Sequence, residues 1–266
     1  MTRRIRLGML TPSSNTVLEP VTMSMLAGLP DISAHFSRFK VTEIALSEQA
    51  LGQFDDSEIL RAAELLAHAK VDTIAWNGTS ASWLGFDRDE QLCARIRAAT
   101  GIAACTSVLA FREIFERTGV RRVGLVTPYR SDVQSRIMAN WQASGFHCSA
   151  ERHLRLQDNF SFAEVGEEQI ADLVRAVARD GCDAVAIVCT NMRGAGLAEP
   201  LERELGIPVY DSIAATLWKS LAVAGVSPSR VKGWGSLFRD ERLATVGPVS
   251  GERQPSADAD RHLTGS

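Results

Sequence analysis

Apolar runs of strand length alternate with amphipathic stretches at helical spacing almost from end to end of the chain. Residues 4–11 read as a strand. Residues 14–27 read as a helix entered through Pro12-Ser13-Ser14-Asn15 and closed by Gly28. Residues 32–39 are β-like, and 56–70 carry Ile59, Leu60, Ala63, Leu65 and Leu66 at helical spacing behind the acidic pair Asp55-Asp56. A short buried strand at 72–76 precedes a helix at 87–100, closed by Gly101, then a strand at 102–104 and a helix at 108–118. The second half predicts strands at 120–126, 146–151, 183–188 and 208–210, with helices at 131–144, 163–180, 197–205 and 212–224. Continuous apolar strands between helices imply an α/β fold with mainly parallel sheet covered on both faces.

The pattern also repeats. Leu7-Gly8-Met9-Leu10-Thr11-Pro12 returns as Val123-Gly124-Leu125-Val126-Thr127-Pro128. Val71-Asp72-Thr73-Ile74-Ala75-Trp76-Asn77-Gly78 returns as Cys182-Asp183-Ala184-Val185-Ala186-Ile187-Val188-Cys189. Two pseudo-symmetric α/β lobes are therefore expected. They span residues 1–115 and 116–238, with segment 212–238 free to pack back onto the first, followed by a polar, disordered tail at 239–266. Each repeated strand ends in small polar residues, and Cys105-Thr106-Ser107 and Tyr210-Asp211-Ser212 follow short strands in the same way. Ligands of open parallel sheets sit beyond the carboxyl ends of the strands, so these six clusters are expected to converge on one site between the lobes. Helix capping alone would explain any single cluster, but it does not require Tyr129 or Cys189.

Composition narrows the field. The 266 residues are 45% hydrophobic, enough for a real core, and a net charge of −3 with no basic patch gives no footprint for nucleic acid. No run reaches the roughly 18–20 apolar residues of a membrane helix, and the first residues lack a signal-peptide pattern. The five cysteines include no Cys-x-x-Cys pair, so reduced thiols in a cytoplasmic enzyme are expected, without disulfides or zinc. No phosphate-binding glycine loop, dinucleotide fingerprint or Gly-x-Ser-x-Gly elbow occurs, and no cofactor is expected. His35, His68, His147 and His153 form no ligand pattern, and Trp76 and Trp141 read as packing residues.

The repeated blocks, with Pro12-Ser13-Ser14-Asn15-Thr16, Gly78-Thr79-Ser80-Ala81-Ser82-Trp83, Thr127-Pro128-Tyr129 and Val188-Cys189-Thr190-Asn191, resemble the aspartate/glutamate racemase superfamily, in its branch with arylmalonate decarboxylase and maleate cis–trans isomerase. The resemblance runs from about Ile5 to about Phe238. It implies a cofactor-independent enzyme with Cys189 as the catalytic thiol and a small carboxylate or dicarboxylate as substrate. Substrate contacts are implied at Asn15, Gly78, Thr79, Ser80, Tyr129, Thr190 and Asn191, and a homo-oligomer is compatible with it. Two-thiol members carry a second cysteine where this chain has Gly78. One thiol suits loss of CO₂ followed by a single protonation, which ranks arylmalonate-type decarboxylation above maleate isomerisation and racemisation. Gly78→Cys is expected to introduce racemase-like proton exchange. A non-catalytic carboxylate-binding protein is the rival from another class, and it would have no use for a low-pKa thiol at the N-terminus of a helix, the environment expected for Cys189.

Overall fold

The computed structural model describes residues 3–44, 46 and 56–244. Its first half builds a sheet from β1 (Ile5–Pro12), β2 (Ile32–Phe39), β3 (Thr73–Trp76) and β4 (Ala104–Thr106), in the order β2-β1-β3-β4. The second half repeats this with β5 (Arg122–Thr127), β6 (His147–His153), β7 (Ala184–Ile187) and β8 (Val209–Asp211), in the order β6-β5-β7-β8. All ladders within the two sheets are parallel. The repeat in the sequence is thus an equivalence of strands, β1 with β5 and β3 with β7. Every residue of β3 and β7 is buried, as an unbroken apolar run in a covered parallel sheet requires.

The helices are α1 (Leu18–Leu26), α2 (Asp56–His68), α3 (Ala81–Leu84), α4 (Phe86–Thr100), α5 (Ser107–Thr118), α6 (Ser131–Ala143), α7 (Glu167–Arg179), α8 (Ala198–Leu205), α9 (Ser212–Val223) and α10 (Glu241–Ala244). Among the described residues, no helix is long and apolar enough to cross a membrane.

Two repeated residues have a shared physical job. Asp72 accepts the Arg6 N–H at 2.7 Å, and Asp183 accepts the Arg122 N–H at 2.8 Å, so each carboxylate pins the start of its lobe's central strand. The Arg122 N–H, joined by that of Arg121, holds the Asp183 carboxyl below the usual carboxylate range. Gly8 and Gly124 permit close approach. A Cβ at Gly8 would lie 3.0 Å from Thr73 O, and one at Gly124 would lie 2.9 Å from Cys182 Sγ.

Departures from the predicted elements have local causes. The helix expected from residue 14 starts at Leu18, because Asn15 Oδ1 accepts the Val17 and Leu18 N–H groups at 3.0 and 2.9 Å and holds the preceding residues in a turn. The helix expected over 163–180 is divided: a 3₁₀ turn at Phe160–Glu164 stops short of Gly166, whose extended backbone starts α7. The chain also stays folded beyond residue 239. Leu243 in α10 is buried, and its carbonyl accepts the Trp218 indole N–H at 3.0 Å. The rest of the expected tail, 245–266, lies outside the described residues. Helix α9 lies against β4 and α5 of the opposite half, where Thr216 Oγ1 donates to Ser107 Oγ at 2.9 Å.

Candidate active site

The carboxyl ends of β1, β3, β5 and β7 meet at a narrow cleft. Gly78, Thr79 and Ser80 reach it from the first lobe, and Tyr129, Asn159, Cys189 and Thr190 from the second. Pro12, Val41, Ile44, Trp76 and Trp83 give it an apolar wall. The other two predicted clusters do not join them. Ser107 and Ser212, at the ends of β4 and β8, meet each other instead, with Ser107 Oγ donating to Ser212 O at 3.1 Å.

Cys189 lies two residues past β7. Its Sγ accepts the Asn191 N–H at 3.4 Å. The Tyr129 hydroxyl, which lines the same cleft, is 2.6 Å from Thr79 Oγ1 and so ties the second lobe to the first. The Tyr129 ring is fixed by edge contacts with Trp83 and Phe162, at 5.3 and 5.6 Å between centroids.

Burial pushes the Cys189 thiol up to about 12, against the opposing pull of the Asn191 N–H and the Tyr129 hydroxyl. The low-pKa helix terminus expected from the sequence is not there. The residues after Cys189 form a turn, and a 3₁₀ turn at Ala195–Leu197 intervenes before α8. The thiol is therefore protonated at neutral pH. Cys105 and Cys148 are likewise pushed up, to about 11 and about 12, so acidity does not single out Cys189; its place at the cleft does.

Asn15 and Asn191 are buried beside the cleft without lining it. Asn15 Nδ2 donates to Thr190 O at 3.0 Å and to Thr190 Oγ1 at 3.2 Å, and Thr190 Oγ1 donates to Asn77 O at 2.8 Å. Asn191 Oδ1 accepts the Thr16 N–H at 3.0 Å while its Nδ2 donates to Asn159 O at 2.6 Å. Asn15 Nδ2 and Asn191 Oδ1 thus join the two halves, while the other end of each amide is held within its own half. The loops after β2 and β6 add a seam above them, with Ile44 N–H donating to Gln157 O at 2.9 Å and Asn159 N–H to Thr42 O at 3.0 Å.

Behind the thiol stands Asp211, fully buried. Its Oδ1 caps α9 by accepting the Ile213 and Ala214 N–H groups at 2.7 and 3.2 Å, while its Oδ2 has no hydrogen-bond partner. Burial raises this carboxyl to about 7 despite the two capping N–H groups. Among the described residues, no three of His, Cys, Asp and Glu are grouped so as to hold a metal ion.

The chain matches the arylmalonate decarboxylase family over residues 8–238. It belongs to that family. The arylmalonate decarboxylase of Bordetella bronchiseptica is 31% identical over 164 residues, covering 60% of this chain and 68% of that one. The maleate isomerase of Nocardia farcinica is 28% identical over 248 residues, covering 91% and 98%. Among solved structures, a cysteine-to-alanine variant of the maleate isomerase Iso from Pseudomonas putida S16 with maleate has a TM-score of 0.83 at 22% identity, covering 92% and 100%. A cysteine-to-serine variant of the Nocardia farcinica maleate cis–trans isomerase, with a covalently bound succinylcysteine intermediate, has 0.79 at 25%, covering 88% and 98%. An arylmalonate decarboxylase with one glycine exchanged for cysteine and one cysteine for serine, in liganded form, has 0.77 at 23%, covering 88% and 98%.

The superfamily and fold expected from the sequence are therefore correct, and the chain is a lyase or isomerase of that superfamily. Within this arylmalonate decarboxylase family fold, Val41, Ile44 and Asn159 line the cleft although the sequence reading passed over them. Asn159 could have been found as a polar residue on the loop after β6. Val41 and Ile44 carry no such signal, since only the pairing of loops across the lobes brings them in. Trp76, read as packing, also lines the cleft.

Proposed function

We propose that this chain is a cofactor-free enzyme in which Cys189 delivers a proton to the carbon next to a carboxylate, and that its substrate is a small malonate-type dicarboxylate with an apolar substituent. The observation that carries this reading is a single protonated thiol at a cleft that is polar on one side and apolar on the other. Loss of CO₂ breaks the C–C bond and leaves its electron pair on the α-carbon, spread onto the remaining carboxylate as an enediolate. The hydroxyls of Thr79, Ser80 and Tyr129, which line the cleft, would donate to those oxygens, and one such donor is worth about 3–4 kcal/mol. The Cys189 S–H bond then breaks as its proton passes to carbon, and the thiolate left behind is reprotonated from solvent. A thiol held near 12 suits this step, because it keeps its proton until a strong carbon base forms beside it. The liganded decarboxylase with exchanged glycine and cysteine indicates a glycine–cysteine pair in that enzyme, which supports treating Gly78 and Cys189 alike.

Maleate cis–trans isomerisation is the second reading, and most of the curated relatives favour it. There the sulfur would add to the double bond, rotation about the resulting single bond would follow, and elimination would release fumarate. That route calls for a thiolate, which burial of Cys189 disfavours. Purified protein should be assayed in parallel for CO₂ release from 2-substituted malonates and for maleate-to-fumarate conversion. CO₂ release that falls by about 10²-fold or more in Cys189→Ala is expected. Fumarate formation without CO₂ release would replace the first reading with the second.

A further inference from the structure

The pseudo-symmetry gives the cleft two equivalent strand-end positions, Cys189 after β7 and Gly78 after β3, and only one carries a side chain. The space at the other is not vacant. A Cβ built on Gly78 would lie 1.9 Å from Trp76 Cζ2, 2.3 Å from Cε2 and 2.5 Å from Cη2, so the indole occupies the path of any side chain at 78. The ring is 1% exposed and is backed by Phe39, with centroids 5.0 Å apart. Any side chain at 78 therefore requires the packed indole to move.

We propose that Trp76 is a specificity-determining residue that makes the site one-sided: its indole replaces a second proton-transfer group, so protons reach the bound carbanion from the Cys189 side alone and the product forms as one enantiomer. This rests on the reading of Cys189 as proton donor. It also corrects the expectation that Gly78→Cys by itself would create racemase-like exchange, because the new side chain would collide with the indole before it could reach substrate.

The test compares the parent protein, Gly78→Cys, Trp76→Leu and the double variant, with Trp76→Phe as a milder replacement should the leucine fail to fold. Each is melted and then incubated in D₂O with enantiopure 2-phenylpropionate. Gly78→Cys alone should lower the Tm by roughly 5 °C or more and incorporate no deuterium at the α-carbon. On the Trp76→Leu background the same substitution should cost little further Tm. It should there raise deuterium incorporation, with loss of optical purity, by about 100-fold over the parent. Gly78→Cys that melts like the parent and racemises as fast as the double variant would overturn the proposal, as would a double variant that exchanges no faster than the parent. Melting reads the Trp76–Gly78 contact without turnover, whereas the role of Cys189 fails separately, if Cys189→Ala releases CO₂ at the parent's rate.

Discussion

A buried thiol is a weak acid, and under the proposed reading that weakness suits a group whose proton goes to carbon. Cys189→Ala should lower kcat by about 10²–10⁴-fold, the range for loss of a positioned acid, with the melting temperature nearly unchanged; steady-state CO₂ release and a thermal melt check both. Tyr129→Phe removes the hydroxyl that meets Thr79 at the cleft and should cost about 10²-fold in kcat with a smaller change in KM. Asp211 shows burial acting on stability instead. Its carboxyl rises from 3.8 to about 7, so between those values the folded chain holds a proton that the unfolded chain has released. Stability from this group is therefore present at low pH, falls as pH rises through that window, and stays lower above 7. Asp211→Asn keeps a good N-cap for α9 and removes the ionisation. Between pH 5 and pH 8 the parent should lose about 2–3 kcal/mol more than the variant in urea unfolding. Equal slopes would show that Asp211 ionises normally.

At the level of elements, the sequence exposed what depends on local pattern and missed what depends on contact across the lobes. The strands, their order in two halves and the polar clusters at four strand ends could be read because apolar period, turn residues and repetition all lie in the chain itself. The Cys189 environment could not. Thr190-Asn191 has the composition of a helix start, yet Asn15 and the Thr16 N–H claim those side chains for the opposite lobe and the segment stays a turn. Asn15 likewise looked like a substrate ligand, when its four hydrogen bonds cap α1 and hold Thr190. Asn15→Ala should destabilise the fold by about 2–3 kcal/mol, a lost cap plus lost inter-lobe bonds. Asn15→Asp keeps the cap but sets a carboxylate against Thr190 O. It should therefore impair turnover more than its cost in stability would suggest, which melting and kinetics together would reveal.

For the whole molecule, the cleft has walls from both halves, so a ligand that fills it should tie them together. A dicarboxylate at a hundred times its Kd adds about 2.7 kcal/mol to stability and should raise the Tm of both parent and Cys189→Ala. EDTA should leave Tm and turnover unchanged. The internal repeat has one more consequence. An assembly of two identical half-length chains would be obliged to present the same residue at both poles of its central cavity, sulfur facing sulfur or ring facing ring. Joined in one polypeptide, the poles are free to differ, and here they do: a thiol at one, an indole at the other. Handedness in the product would then follow from covalent linkage of the halves, which releases the two poles from two-fold equivalence.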